Sequence, residues 1–589
     1  MRYFLYFYRT YTKYLSKGIW WLLVLTILVA FADGLGISML LPLLHTLDVS
    51  DRSESAGILT SITDFFGLSG SLTGVLAFMF VIFLTKAALK FSAGYFKADL
   101  YKELYRYLKI NFYDGLLKVD YQYFTKKNTG HFITVMEMHV NRLVRSFDLF
   151  VTLITAVVMA ISYLIVAAMI SWEVSAMAVL LGSFIFGMLS IVNRFVRRLS
   201  QRISSEEKHM NQIAVQALHA FKYIVSTSSY KPIQSQYSSS IVKITQLQFK
   251  TKLANAFTAS IQELLAVGLL IAMIVIEVVM LGHAIGAVFV ILLLFYRGVN
   301  QMMAVIQNWQ ELVAYHGYVV SVDEELTAIK KHQVSNGQAQ LTTPLHRQNI
   351  VFKNVKFHFN DSPRNIIDNI TLEIKPFTTV AFVGPSGAGK TTIVDLITGL
   401  LKPQYGDVAI SSQSLTSVDT DSWRSKIGYV SQDLTVFDDS VAHNISLFEP
   451  GANSDDIVLA AEQASADRFI NELPNGYETR IGDKGVRISG GQKQRLFIAR
   501  ELYKKPSLLI LDEATSALDS ESEQFIKSSI DRLRGKVTVI IIAHRLSTIK
   551  DVDCVYVLEK GKIVESGTYD DLVARGTSRF AEMVELQNL

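Results

Sequence analysis

Up to about residue 330 the chain alternates long apolar runs with polar stretches. Beyond residue 350 the apolar runs shorten and alternate with amphipathic helical patterns. The two rhythms predict two different surroundings. A bilayer core takes roughly 20 mostly apolar residues per helix, and stretches at about 18–45, 67–95, 149–172, 174–193, 258–281 and 283–306 meet that length. The third and fourth are joined by little more than Trp172-Glu173-Val174, and the fifth and sixth by Leu281-Gly282-His283-Ala284. The connections on the other side are long, about 50 and about 60 residues, polar and compatible with helix. At about 1.5 Å per residue, an out-and-back pair of 25-residue helices would project on the order of 35 Å. A polar stretch follows the sixth span, so the pattern divides the chain into a membrane domain over 1–330, a linker over 331–349 and an α/β domain over 350–589.

Charge orients this layout. Arg2, Arg9, Lys13 and Lys17 precede the first span, whereas the loop after it, TLDVSDRSESAG, has one arginine among several acids. The positive-inside rule puts both termini in the cytoplasm and the turns after spans one, three and five outside. Half of the residues are hydrophobic, 19% are charged and mean hydropathy is +0.28, as expected of a membrane protein. The one cysteine, Cys554, rules out an internal disulfide framework. A net charge of +4 on 589 residues gives no footing for nucleic acid. The basic, aromatic start lacks a small-residue cleavage site and leads into a span too long for a signal peptide, so no removable signal is expected.

The α/β domain carries the chemistry. TTVAFVGPSGAGKTTIVDLITGL reads as apolar strand, glycine loop and amphipathic helix, the context that the P-loop pattern requires. Gly384, Pro385, Ser386, Gly387, Ala388 and Gly389 would let backbone N–H groups wrap phosphates at a helix N-terminus. Lys390 would lie between the β- and γ-phosphates, and the Thr391 hydroxyl, followed by Thr392, on Mg²⁺. Further on, the strand in SLLILDEATSALD would deliver Asp512 and Glu513 to its carboxyl end, where α/β ligands bind. One carboxylate can hold Mg²⁺ while its neighbour takes a proton from the attacking water. The strand in VTVIIIAHR ends at His544, a position suited to a γ-phosphate contact.

Together, the P-loop, YVSQD with Gln432, ISGGQ, ILDE, SALD and AH resemble, in order and spacing, the ATP-binding cassette. Over essentially its full length the chain resembles a half-transporter of the ABC exporter type. The fold class implied is a multi-domain membrane protein, with a six-helix α-helical transmembrane domain followed by an α/β P-loop cassette. The resemblance assigns ATP and Mg²⁺ as cofactors, Phe359 as the ring that stacks on adenine, and Gln432 and Asp512 as partners of the metal beside Thr391. It makes Glu513, His544, Gln432 and Lys390 the catalytic set. The sequence departs from the family at Phe359, where tyrosine is commoner, at Asp483, where glutamate is usual, and at Ile488, where leucine opens the signature. In the family, Ser489, Gly490, Gly491 and Gln492 grip the nucleotide held by the opposite cassette. A chain with one P-loop and one signature therefore needs a second cassette. The expected partner is a second copy of itself, with a heterodimer as the alternative. The stretches 120–132 and 219–234 would hold the helices that couple cassette to membrane domain.

The cargo is less legible. The segment FADGLGISMLLPLL, with Asp33 and Pro42, and the amphipathic stretch at 57–68 resemble flippases of lipid-linked oligosaccharides. A polyprenyl-pyrophosphate glycan flipped across the bacterial cytoplasmic membrane is the main reading. Another lipid or glycolipid, a drug or a peptide are alternatives, and an ATP-gated channel is disfavoured by the intact motif set. Arg297 lies roughly 14 and Lys86 roughly 19 residues into a span, on the order of 20–30 Å from its outer end. A cation at that depth costs roughly 2.5–3.5 kcal/mol, which makes both substrate-cavity candidates. The alternative is an internal ion pair, with Glu263 as partner.

The motif reading yields one test of chemistry. Glu513→Gln should keep ATP binding, slow hydrolysis at least about a hundred-fold and accumulate a nucleotide-bound dimer, because an amide cannot accept the water's proton. Turnover of the purified variant near the wild-type rate would place the general base elsewhere.

Overall fold

The computed structural model describes residues 2–15, 18–40, 43, 72–127, 129–170, 172–275, 285–334, 339, 349–359, 364–432, 434–482, 485, 487–512, 520–543, 545–576 and 578–588. Pro42, the amphipathic stretch at 57–68 and most of the linker over 331–349 lie outside them. Two compact units emerge, one of Met1–Lys118 with Lys127–Lys331, the other of Val119–Lys126 with His332–Leu589.

The described elements of the first unit are all helical. Helix α1 (Arg2–Leu15) buries Phe7, Tyr11 and Leu15, one face at a spacing of four. It is fastened by polar tips: the Tyr11 hydroxyl and Ser146 Oγ are 2.7 Å apart, and Lys13 and Tyr14 donate to Asp323 at 2.6 and 2.8 Å. Helix α2 (Gly18–Ser38) and helix α3 (Leu72–Leu117) follow. The first extension's short helix α4 (Tyr121–Lys126) is succeeded by Thr129–Ile133, a π-helical turn Thr134–His139 and helix α5 (Val140–Ile170). Then come helix α6 (Trp172–His219), the short helix α7 (Phe221–Ser226), helix α8 (Tyr230–Ile274) and helix α9 (Ile285–Lys331).

Each expected span overlaps one of the long helices α2, α3, α5, α6, α8 and α9; only 174–193 lies wholly inside its helix, and the other five run past one helix end. Among the described residues, Gly18–Ser38, Leu72–Leu117 and Thr129–Met169 are long and apolar enough to cross a membrane. Helices of 45 to 48 residues reach about 70 Å, more than twice a bilayer core. In α3, α6 and α8 the surplus is the polar part that the sequence reads as extensions.

Helix α4 clusters with the second unit although its neighbours in sequence belong to the first. Its local ties explain this. Val119 bridges to Gln333, the Asp120 N–H donates to the His332 carbonyl at 2.8 Å, and the Tyr123 ring stacks on His332 at 4.6 Å.

The second unit is an α/β domain with two sheets. Strands β1 (Ile350–Phe357), β2 (Ile367–Ile374), β4 (Tyr405–Ile410) and β5 (Gln413–Ser414) form an antiparallel sheet in the order β2-β1-β4-β5. Strands β3 (Thr379–Val383), β6 (Ile427–Val430), β7 (Leu508–Asp512), β8 (Thr538–Ile542), β9 (Cys554–Glu559) and β10 (Lys562–Gly567) form the main sheet, ordered β10-β9-β3-β8-β7-β6. Only β10 runs antiparallel to its neighbour. Every residue of β3, β7 and β8 is buried, as a parallel sheet covered on both faces demands. Successive side chains alternate between two cores. Ala381, Val383, Leu509, Leu511, Val539 and Ile541 enter one; Val380, Phe382, Leu508, Ile510, Ile540 and Ile542 enter the other.

Candidate functional site

Parallel pairing sends the ends of β3, β6, β7 and β8 to one edge of the main sheet. Phe382 and Asp512 both register with Ile542, and Val430 registers with Leu511. The loops that leave these strands carry Gly384, Gln432, Glu513 and His544 respectively. That is the crevice where open α/β sheets take ligands. Glu513 and His544, like Asp483 in the loop before the signature, lie outside the described residues.

The P-loop fits a phosphate because its backbone leaves no room for side chains on one side and open space on the other. Gly384 has φ +149°, and a Cβ there would lie 2.2 Å from the Leu558 carbonyl oxygen. Gly389, at φ +103°, would put a Cβ 2.8 Å from Ile367 Cδ1. At Gly387, φ +76°, a Cβ would meet nothing within 4 Å, and Pro385, Ser386 and Gly387 are exposed while Ala388 is buried. Helix α10 (Lys390–Ile397) begins directly after Gly389 with no side-chain cap, so its first N–H groups face the loop. Lys390 is buried and folds back to donate to the Gly384 and Pro385 carbonyls at 2.9 and 3.0 Å, which keeps the ammonium at the mouth of the loop. Thr391 is exposed on the first turn of the helix, and Thr392 is buried.

Across the edge, Asp512 is buried at the end of β7 and accepts from the Tyr429 hydroxyl at 3.2 Å. Gln432, just past β6, is exposed. Asp395 of α10 is partly buried, and its carboxyl is pushed up to about 6 by that burial and then by the charge of Asp512. Burial and the same carboxylates raise the Tyr429 phenol. Asp395 escaped the motif reading, and Tyr429, the first residue of YVSQD, carries no role in it. The sequence clue is a lone acid inside the otherwise apolar TTIVDLITGL. Phe359 is 40% exposed, its ring edge-on to Phe357 at 5.1 Å, so a face is open for stacking.

The signature opens helix α11 (Gly490–Tyr503), where Ser489 is the N-cap. Ser489 Oγ accepts from the Gln492 N–H at 3.3 Å, and Gln492 Oε1 accepts from the Ser489 N–H at 2.8 Å. This reciprocal capping box is legible in S-x-x-Q. Ser489 and Gly490 are exposed, Gly491 is buried, and Ile488 is buried behind them. Further along α11, Arg500 donates to the carbonyls of Asn444 at 2.7 Å and Thr435 at 2.9 Å and to Asn444 Oδ1 at 2.9 Å. One buried guanidinium thus holds the signature helix to the segment that follows Gln432.

In the membrane-domain unit, Lys86 of α3 and Arg297 of α9 meet on one carboxylate, Asp33 of α2. Lys86 Nζ donates to Asp33 Oδ1, and Arg297 Nη1 lies 3.2 and 3.4 Å from its two oxygens. The Tyr163 hydroxyl of α5 donates to Asp33 Oδ2. The Glu263 side chain, the partner expected from sequence, lies outside the described ones. Asp33 was visible in the first span, but only folding shows which cations share it.

Comparison with known proteins agrees with this architecture. The ABC transporter family model matches residues 367–516, and the ABC transporter transmembrane region model matches residues 19–301. The heterocyst differentiation ATP-binding protein HepA of Nostoc sp. is 32% identical over 492 residues, 83% of this chain and 80% of that protein. The ATP-dependent lipid A-core flippase of Coxiella burnetii is 28% identical over 513 residues, 86% of each chain. The solved structure of a bacterial Atm1-family ABC exporter with ATP bound has the same fold, with a TM-score of 0.77, 24% identity, and coverage of 98% of this chain and 100% of that one.

Two outcomes follow from the site geometry. Gly384→Ala should weaken ATP binding at least about ten-fold, since the added carbon cannot clear the Leu558 carbonyl without moving the loop; unchanged ATP affinity in equilibrium binding would refute the cradle. The Asp395 carboxyl titrates higher folded than unfolded, so stability is full below about pH 4 and falls as pH rises through about 6. Asp395→Asn should therefore stabilise the nucleotide-binding unit on the order of 2 kcal/mol at pH 8, and progressively less toward pH 4. Calorimetry of the full chain in Mg²⁺-free buffer checks this, and a pH-independent difference would contradict it.

Proposed function

The chain belongs to the ABC transporter family, and on that premise we propose that it is a homodimeric exporter that moves a lipid or glycolipid with an acidic head across a bacterial membrane. The family supplies the enzymology: the chain binds ATP with Mg²⁺ and hydrolyses it in coupling to transport. The observation that carries the cargo reading is the pair of cations brought together among membrane helices, in a chain similar over most of its length to lipid A-core flippases. A polyprenyl-pyrophosphate glycan is the narrower form of the same reading, and a second acidic group on the cargo would suit two cations.

The domain boundaries proposed are those of the sequence pattern, a six-span membrane domain over 1–330, a linker over 331–349 and a cassette over 350–589. Both termini and the cassette are assigned to the cytoplasm by the basic N-terminal segment. The P-loop from Gly384 to Thr392 binds the phosphates, and Phe359 stacks on the base. Thr391, Gln432 and Asp512 hold Mg²⁺, which when bound neutralises charge on the β- and γ-phosphate oxygens. Lys390 swings from its carbonyl partners to the phosphates. Glu513 takes the proton of the attacking water, and His544 holds the γ-phosphate. Ser489, Gly490, Gly491 and Gln492 close the site of the partner copy, and the capping box holds the exposed N-terminus of α11 in the form an anion needs. Closure of the two cassettes is passed to the membrane helices through the stretches at 120–132 and 219–234.

The cargo reading is tested in proteoliposomes. ATPase should rise with lipid A or a lipid-linked glycan and not with the same lipid lacking its phosphates; equal stimulation by both would reject an acidic cargo. Site sharing is tested by pairing Ser489→Arg on one chain with Lys390→Ala on its partner. If sites are composite, both changes fall on one site and the other still occludes ATP, whereas both changes on the same chain damage both sites. Equal ATP occlusion in the two arrangements would refute sharing.

A further inference from the structure

Four helices converge on the Asp33 carboxylate, and the way it is held carries a consequence for cargo choice. The side chain of Asp33 is 4% exposed, that of Lys86 19% and that of Arg297 39%. The carboxylate is therefore sealed while the guanidinium stays open on one side. Its hold on Asp33 uses a single nitrogen, Nη1, at 3.2 and 3.4 Å. An arginine committed to a carboxylate places two nitrogens on it at shorter range. Among the described side chains that touch Asp33, two cations meet one carboxylate, leaving one positive charge in excess. The remaining anchor of Asp33 is neutral, the Tyr163 hydroxyl on Oδ2.

The backbone fixes this geometry. Gly34 brings α2 against α5, where a Cβ would lie 3.1 Å from Ser162 Oγ and from Val166 Cγ2, and Gly36 brings it against Phe83 of α3 at 3.4 Å. Ser162 Oγ also donates to the Ala30 carbonyl at 3.0 Å. Close helix approach at Gly34 and Gly36 thus positions the backbone around Asp33 independently of its ion pairs.

We propose that Asp33 is the specificity-determining counter-ion of an anion site formed by Lys86 and Arg297, a built-in occupant that a phosphate-headed lipid must displace. This rests on the acidic-lipid reading given above. A carboxylate carries one charge, so a lipid head with a single carboxylate gains nothing over Asp33. A phosphate offers more charge and three oxygens to the planar fork of Arg297 and the point charge of Lys86. On displacement Asp33 leaves the cations but keeps the Tyr163 hydroxyl, which spares it the cost of a buried carboxylate without a partner. An uncharged lipid has no means of releasing it.

The test is native mass spectrometry of the full chain in neutral detergent, titrated with phosphatidic acid, with diacylglycerol of the same chains, and with glycerol 3-phosphate. Asp33→Asn should tighten phosphatidic acid binding about ten-fold by removing the competitor, and Tyr163→Phe should weaken it several-fold by stranding the displaced carboxylate. Diacylglycerol binding should change in neither. Shifts in the same direction, or none, in the two variants would overturn the proposal, because a merely structural role for the cluster moves both alike. Wild-type binding of phosphatidic acid no tighter than diacylglycerol would overturn the acidic-lipid reading itself. Glycerol 3-phosphate binding as tightly as phosphatidic acid would overturn a lipid as the source of the anion. If Asp33→Asn does not fold, the weakening in Tyr163→Phe carries the test, and its absence overturns the proposal.

Discussion

The nucleotide-binding unit depends on the parallel pairing of β3, β8 and β7. Because neighbouring strands point the same way, the residues that follow them leave from one edge, and groups more than a hundred residues apart in sequence become neighbours. The pairing requires both faces of the sheet to be covered, and the two cores that cover them draw alternate residues from the same strands. A shift of one residue in β7 would exchange those cores and turn Asp512 away from the crevice. Register, packing and catalytic geometry are one constraint here.

Charge buried beside charge governs the rest of that edge. Asp395 and Asp512 lie close enough to interact, and burial together with the Asp512 charge raises the Asp395 carboxyl toward neutrality. A divalent cation at this edge, as proposed for Asp512, would relieve that repulsion. Arg500 shows the opposite solution. Its guanidinium is buried, but three of its hydrogen bonds end on Asn444 and Thr435, so it stiffens the link between signature helix and the segment after Gln432.

In the helical unit the same physics operates where water is scarcer. Lys86, Arg297 and Asp33 would each be costly alone in an apolar setting, and together they satisfy one another across helices far apart in sequence. Glycines at 34 and 36 set the helix spacing that makes the meeting geometrically feasible. Their role is packing.

The sequence alone determined the elements and the chemistry confined to short segments. Apolar runs of bilayer length marked the long helices, and GPSGAGKTT, with its flanking strand and helix, marked the phosphate cradle. SGGQ carried both a signature and a capping box, because capping is a property of four consecutive residues. Contacts between distant segments were decided only by the tertiary structure. That Lys86 and Arg297 meet on Asp33 depends on the rotation and spacing of four helices, which hydropathy does not encode. That α4 clusters with the nucleotide-binding unit depends on a bridge and a ring stack to residues 332 and 333, more than 200 positions away. The raised Asp395 depends first on its burial in the packed unit and then on the charge of Asp512, brought near by the strand order β3-β8-β7. Local pattern fixes what each segment is; burial and proximity, which fix what its polar groups do, exist only once the segments are packed.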